Sequence, residues 1–293
     1  MSEARGPDDA FIGFTPPPDL HVMTYNIRRR MSRLPPRSRD VWSHRKHLLQ
    51  RVLATERPAL LGVQEALLDQ SRFVGASLGP SYERIGYGRN ANREGEACPI
   101  FYDTERLRPV GWAQYALSNT PTVPGSRSWG NRVPRLVVVA TMHDLATGID
   151  FRAFNTHFDH QSPSARLKSA AMLTRLIGRG SGPVIVTGDA NAGVFSAPYR
   201  ELTHGAGLVD AWLMPERRLS PDYTTFSNYH APKVGGKRID WLLVGGGIEV
   251  KAMGINAVRF DGAAPSDHEP VQAVLRMSRE RGLPVPSAAT SRP

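Results

Sequence analysis

The chain has 293 residues, 40% apolar and 22% charged, the composition of a globular protein able to bury a large core. No apolar run approaches the ~18 residues that span a bilayer, and the single Cys98 excludes both an internal disulfide and a thiolate-rich zinc site. The formal charge of +10 permits a polyanionic partner without establishing one: 37 − 5 = 32 of the basic residues are Arg, a skew that a GC-rich genome produces as readily as a binding surface does. The polar start, with Glu3, Asp8, Asp9 and three consecutive prolines, lacks an apolar stretch of signal-peptide length, so a cytoplasmic protein is expected.

Residues 1–19 read as a flexible N-terminal arm, 20–276 as one domain and 277–293 as a disordered tail. His21-Val22-Met23-Thr24-Tyr25 predicts a strand that delivers Asn26 at its end. Arg28-Arg29-Arg30 through Arg39 is a basic loop, either a solvated charge run or a phosphate-facing rim. Asp40 is placed to cap a helix whose apolar face is Val41, Leu48, Leu49, Val52 and Leu53, ended by Pro58. Leu60 to Gln64 predicts a buried strand running into Glu65, and residues 66–78 a helix.

Alternation around Ile100-Phe101-Tyr102 and Val110-Gly111-Trp112 predicts antiparallel strands between 82 and 115, followed by a surface loop over 118–134. Arg135–His143 and Asp150–Thr156 form a hairpin about Ala146-Thr147-Gly148, with His157 and Asp159 at its exit. An amphipathic helix over 163–178 precedes the run Pro183-Val184-Ile185-Val186-Thr187-Gly188-Asp189-Ala190-Asn191, a strand entering a loop. A short helix near Tyr199–Thr203, a strand over Ile239–Val244 containing Asp240, and a strand over Val271–Leu275 after Ser266-Asp267-His268 complete the domain. The chain contains no internal repeat and no linker long enough to divide it.

Asn26, Glu65, His157, Asp189, Asn191, Asp240, Asp267 and His268 all lie at or beside ends of apolar strands. A sheet gathers such ends, so residues over 240 positions apart can share one cleft. Several carboxylates buried together cost several kcal/mol per uncompensated charge, and a hard divalent cation compensates them; oxygen donors without thiolates suit Mg²⁺ or Mn²⁺. Taken singly, the Asp189–Asn191 pair is equally an Asx-turn.

Together, Tyr25-Asn26, Val63-Gln64-Glu65, Asn155-Thr156-His157, Gly188-Asp189-Ala190-Asn191, Arg238-Ile239-Asp240 and Ser266-Asp267-His268 resemble the endonuclease/exonuclease/phosphatase superfamily. The likeness covers about residues 20–276 and extends through Gly86-Tyr87-Gly88-Arg89-Asn90 to the deoxyribonuclease I-like and magnesium-dependent bacterial branches. It implies a four-layer α/β sandwich: two packed, mostly antiparallel β-sheets flanked by helices. The resemblance makes Glu65 the principal Mg²⁺ ligand (Mn²⁺ being the other candidate), with Asn26 and Asp267 completing the site. Asp189 orients or deprotonates the attacking water, and Asn191 holds that water or the phosphate. His268, fixed by Asp240, contacts the scissile phosphate; His157 is the second histidine, paired with Glu96. Arg28, Arg89 and Arg135 are substrate contacts.

Plainer roles stand beside these: a structural histidine for His157, a surface acid for Glu96, an ion pair of Asp240 with Arg238 or Lys237, and a loop flank for Arg135. Ala190 stands where the family usually has Phe or Leu, and Val234-Gly235-Gly236-Lys237-Arg238 replaces the inositol-phosphatase signature. The tyrosine of apurinic endonucleases has no clear equivalent. The implied activity is metal-dependent hydrolysis of phosphate esters by in-line water attack, first as a nuclease or phosphodiesterase on nucleic acid, alternatively as a phosphomonoesterase or lipid-headgroup or inositol-phosphate hydrolase. A monomer acting without a membrane is expected.

Overall fold

Period-two alternation along the strands sorts apolar side chains onto opposite sheet faces, and in this chain both faces are covered. The structure, a computed structural model, describes residues 9–278. In chain order the elements are β1 (Asp19–Asn26), α1 (Trp42–Glu56), β2 (Leu60–Gln64), α2 (Leu68–Leu78), β3 (Tyr82–Ile85), β4 (Ile100–Asp103), β5 (Leu107–Ala116), β6 (Leu136–Asp144) and β7 (Ile149–His157). There follow α3 (Pro163–Ile177), β8 (Val184–Asp189), α4 (Ala197–Arg200), β9 (Val209–Asp210), β10 (Arg217–Arg218), β11 (Asp240–Gly245), β12 (Glu249–Ile255) and β13 (Val271–Arg276).

The strands form a seven-stranded sheet, order β10-β12-β13-β1-β2-β4-β3, and a six-stranded sheet, order β5-β6-β7-β8-β11-β9. Neighbours run antiparallel except β1/β2 and β10/β12 in the first sheet and β7/β8 in the second. Leu20, Val22, Leu60 and Ile100 of the first sheet pack with Val138, Ala140, Ile185 and Leu242 of the second, which defines the inter-sheet layer. On the outer face of the first sheet, Met23, Tyr25, Leu61 and Val63 meet Leu49, Val52 and Leu53 of α1 and Val74 of α2. Outside the second sheet, Val137, Phe154, Val186 and Trp241 meet Ala170, Leu173 and Ile177 of α3 and Tyr199 of α4. The four-layer sandwich expected from the sequence is the architecture observed. Among the described residues no helix is long and apolar enough to cross a membrane.

The inter-sheet layer changes character toward the ends of β1, β2, β7 and β8. Gln64 Nε2 donates to Asn155 Oδ1 at 2.7 Å and to Thr24 Oγ1 at 3.1 Å, and Thr187 Oγ1 donates to the same Asn155 oxygen at 3.1 Å. This buried amide layer crosses from one sheet to the other and forms the floor beneath the strand ends. Gly62 lies against it: a Cβ there would collide with Thr187 Oγ1 and Asn155 Oδ1.

Three expectations need correction. Asp40 does not cap α1, whose N-cap is Val41; its carboxylate instead accepts from Arg28 at 2.9 Å and from Tyr229 Oη at 2.7 Å. Part of the expected N-terminal arm is tied down, because the N–H groups of Phe11, Ile12 and Gly13 donate to the buried Glu56 carboxylate at 2.7–3.1 Å, which removes their freedom. Strand β12 was not anticipated: Lys251 and Gly254 interrupt its apolar alternation. Residues 1–8 of the arm and 279–293 of the tail lie outside the described residues.

Gly62→Ala is expected to destabilise the protein by about 1–3 kcal/mol, because the added methyl must displace two members of a satisfied polar network. Chemical denaturation measures this, and an unchanged midpoint would mean that the two sheets do not meet closely here.

Candidate active site

Strand registers bring the polar ends together. Parallel β1/β2 pairing sets Asn26 beside Gln64, with Glu65 next; parallel β7/β8 pairing sets His157 beside Asp189; antiparallel β8/β11 pairing places Asp240 directly across from Asp189. Asp267 and His268 arrive just before β13, the other neighbour of β1. Arg28, Glu65 and Asn191 adopt positive φ of 55°, 62° and 49° immediately after their strands. These sharp, conformationally costly turns fold each side chain or its amide back toward the strand ends.

Asn26 joins the two halves of the site. Its Nδ2 donates to Glu65 Oε1 at 3.1 Å and Asp189 Oδ2 at 3.0 Å, while its Oδ1 accepts from the backbone N–H of Arg28, which fixes the amide's orientation. Asp189 Oδ1 accepts the N–H of Asn191 at 2.8 Å. The Asn191 side-chain Nδ2 donates to the Phe158 carbonyl at 3.0 Å and to His157 Nε2 at 2.9 Å, which places the His157 proton on Nδ1. His268 Nδ1 donates to Asp240 Oδ2 at 2.9 Å, and its Nε2 lies 3.8 Å from Asp189 Oδ2. Thr225 Oγ1 accepts the N–H of Asp240, an anchor that nothing in the sequence signalled.

The two histidines carry different charge. Burial works against a charged His268, but the Asp240 carboxylate and then Asp189 outweigh it and hold the ring well above its ordinary range. His157 is held well below it, by burial first and then by the Arg135 guanidinium. His157 is therefore neutral, and its 3.4 Å approach to Asp189 is not an ion pair. Burial, reinforced by Asp240, pushes the Asp189 carboxyl up to about 7. Burial also raises Asp267; it works against the charge of Glu65 as well, yet the bonds from Arg29 N–H and Asn26 keep that carboxyl below the usual range. Cys98 is pushed up to about 12 by burial and supplies no thiolate nucleophile.

Other expected site residues are arranged differently from their sequence reading. Glu96 does not pair with His157. It takes Arg89 in a two-pronged ion pair at 2.6 and 2.9 Å, with Arg29 at 3.5 Å, because two guanidiniums reach it first. Arg28 bridges Asp40 at 2.9 Å and Asp267 at 3.6 Å, and so braces the site from outside. Arg135 lies inside, 4% exposed, bonded to His160 Nδ1 at 2.9 Å, its Nε without a hydrogen bond 3.7 Å from Asp159. Asp240 pairs with His268, while Arg238 takes Asp210 instead.

Two packed sheets thus present acids, amides and histidines of split charge at one set of strand ends, an arrangement that the comparisons place among hydrolases acting on phosphoesters. The model of the Endonuclease/Exonuclease/phosphatase family matches residues 23–268, and the chain belongs to that family. Its structure is similar to an endonuclease/exonuclease/phosphatase protein of Bacteroides vulgatus (30% identity, 89% of this chain and 99% of that one covered, TM-score 0.81). It is also similar to a mannosyl-6-phosphatase of Bacteroides thetaiotaomicron (29%, 87% and 99%, TM-score 0.80). The fold is shared with D. rerio TDP2 complexed with a single-strand DNA product (16%, 88% and 99%, TM-score 0.65). No match is found among curated proteins.

The residues present suit a divalent cation, the usual cofactor of this family. Asp240 Oδ1 is buried without a hydrogen bond, and both Asp189 and Asp267 are driven toward their neutral forms, so the site is short of positive charge. Asp189, Asp240 and His268 offer ligand atoms within 4.8 Å of one another. His268, held protonated by Asp240, has no lone pair to offer, which leaves the carboxylates of Glu65 and Asp267 as the better oxygen donors for a hard ion; Asn26 Oδ1 is turned to the Arg28 N–H and would join them only with its amide reoriented.

In cation-free protein, stability is expected to fall as pH rises from the ordinary carboxylate range to about 7, because folded Asp189 retains a proton that the unfolded chain has released. Each pH unit in that window costs about 1.4 kcal/mol, and His268 continues the decline at higher pH. Three histidines work the other way: His157, His21 and His160 are held below the ordinary range mainly by burial, so they add stability as pH rises toward that range. The test is therefore a difference: the wild-type denaturant midpoint relative to that of Asp189→Asn should fall between pH 5 and pH 8, and a difference that does not change with pH would contradict the charge assignment of Asp189.

Proposed function

We propose that the chain is a Mg²⁺-dependent phosphomonoesterase acting on compact phosphate esters, with Mn²⁺ able to substitute. The observation that carries this reading is the pairing of the arginines after Asn26. Arg28 is spent on Asp40 and Asp267, Arg29 faces Glu96, and Arg30 bonds Asp69 at 2.9 Å. A nucleic-acid track needs cations open to phosphates, and the three arginines nearest the site are paired by the protein itself, which leaves only the exposed Arg33 and Arg37, farther along the loop, with side chains that have no partner among the described residues. The likeness to a mannosyl-6-phosphatase supports the same direction.

Glu65 and Asp267, joined by Asn26 once its amide turns its oxygen inward, would hold the cation, which when bound neutralises charge on the phosphoryl oxygens. Asp189, a buried carboxyl poised near neutrality, accepts the proton of the attacking water, and the Asn191 N–H keeps that carboxyl aimed. His268, kept charged by Asp240, donates to a phosphoryl oxygen as negative charge builds. Neutral His157, its Nε2 occupied by Asn191, is left with Nδ1–H as its donor. Arg135, with its unbonded Nε, supplies a guanidinium to the same pocket wall.

A second reading, hydrolysis of nucleic-acid phosphodiesters, draws on the formal charge of +10 and on Lys233 and Lys237 at the rim of the adjoining cleft. A substrate panel separates the two: a sugar monophosphate, a bis(aryl) phosphate, plasmid DNA and single-stranded RNA, with Mg²⁺ or EDTA, for wild type and Asp189→Asn. Phosphate release from the monoester is expected, abolished by EDTA and lowered about 10²–10⁴-fold in the variant. Nucleic-acid cleavage without monoester hydrolysis would overturn the proposal, and equal turnover by both proteins would remove Asp189 from the mechanism.

A further inference from the structure

The outer edge of β11 lacks a neighbouring strand at the end that carries Asp240. On that side β9 pairs only with Leu243 and Val244, so the first residues of β11 have no ladder partner there. A segment of the preceding loop takes the place of a strand. Thr225, fully buried, accepts the N–H groups of both Ile239 and Asp240 on its hydroxyl oxygen, at 2.9 and 3.1 Å. A hydroxyl oxygen has two lone pairs, so one side chain satisfies both amides. The N–H of Thr225 itself donates to the Lys237 carbonyl at 3.2 Å, which closes the loop onto the start of the strand.

The same segment reaches the other sheet. The Thr225 carbonyl accepts the N–H of Glu269 at 2.8 Å, and the N–H groups of Ser227 and Asn228 both donate to the Asp267 carbonyl at 3.0 Å. Between these contacts Phe226 forms an isolated bridge with His268, and its ring lies 5.0 Å from the imidazole. Residues 225–228 are therefore a strap, anchored at one place on Asp240 and at two places on the residues that flank His268. Asp240 opens a strand of one sheet and His268 precedes a strand of the other, so their bond of 2.9 Å requires the two backbones to keep a fixed separation. Asp240 is aimed by little else, since its Oδ2 takes the His268 Nδ1–H and its Oδ1 has no hydrogen bond. A strand end without an acceptor for its amides opens locally, and the carboxylate would swing with it.

We infer that Thr225 is a positioning residue of the hydrolytic reaction: its hydroxyl fixes Asp240 against His268 and so sets where the His268 Nε2 donor stands relative to the phosphoryl group. It acts through Asp240 and His268 rather than on the ester itself. The inference rests on the role given to His268 above and is the same for a monoester and a diester. A donor misplaced by about 1 Å costs on the order of 10²-fold in rate, which is the scale on which such an anchor matters.

The test measures kcat and KM for phenyl phosphate and diphenyl phosphate, with Mg²⁺, in wild type, Thr225→Val, Thr225→Ser, Asp240→Asn and the double variant Thr225→Val/Asp240→Asn, below the melting temperature of each. Valine keeps the shape of threonine and removes the acceptor, so kcat should fall about 10–100-fold with KM held within about twofold, and serine, which keeps the hydroxyl, should bring kcat back to within about threefold of wild type. In the Asp240→Asn background valine should add little, because Thr225 acts through Asp240; a residue that merely supports the fold would cost the same factor in both backgrounds. If Thr225→Val does not fold, Thr225→Ala, which leaves room for a water at the two amides, should show the same pattern with a smaller loss. A second readout needs no turnover: the His268 Nδ1 proton should be sharp and slow to exchange in wild type and Thr225→Ser, and broadened by exchange with water in the variant that lacks the hydroxyl. An unchanged kcat in that variant, an equal loss in both backgrounds, or an unaltered proton signal would overturn the inference alone. Asp240→Asn as active as wild type would overturn the role of His268 and this inference with it. Release from neither ester would overturn the proposed function and leave Thr225 to be decided by the proton signal.

Discussion

Two carboxylates facing each other across adjacent strands set the terms for this molecule. Asp189 and Asp240 are register partners in β8 and β11, buried and like-charged, an arrangement that repels in a sheet and repels more strongly away from water. It survives because groups from the other sheet are inserted against it. His268, just ahead of β13, bonds Asp240 and faces Asp189, while Asn26, from the end of β1, donates to Asp189. The site is therefore the place where the two sheets are joined by charge. Beneath it they are joined again, by the neutral ladder of Thr24, Gln64, Asn155 and Thr187.

That junction explains how one fold supplies an acid-like and a base-like group within a few ångströms. The environments push His268 and His157 apart in charge, and they keep Asp189 near the point where it can take a proton. Arg135 contributes from its own side by keeping His157 neutral. Outside, Arg28, with Asp40 and Asp267, and Arg89, with Glu96, form a brace of ion pairs. The basic loop after Asn26 is thereby architecture as much as surface.

The sequence made the strand ends legible because apolar runs stop abruptly at polar residues. Asn26, Glu65, His157, Asp189, Asp240 and His268 were found that way; strand registers gather them within each sheet, and the packing of the two sheets brings the two groups together. What stayed hidden were partners fixed by packing between distant segments. Gln64 and Asn155 entered the sequence reading only as companions of Glu65 and His157 in their motifs, with no role of their own, although their amides span the sandwich. Asp40 read as a helix cap, because a cap signal is local whereas its actual partners, Arg28 and Tyr229, depend on tertiary approach. Glu96 read as the mate of His157, because spacing along the chain says nothing of the two arginines that claim it.

If the opposed carboxylates are held by an imidazolium, the proton on His268 must be observable. In cation-free protein labelled with ¹⁵N-histidine, NMR at pH 8 should show both nitrogens of His268 protonated and His157 neutral, with the His268 signal collapsing to a neutral ring in Asp240→Asn. A neutral His268 at pH 8 in the wild type would contradict the account, since nothing else in the site supplies the charge that Asp189 and Asp240 require.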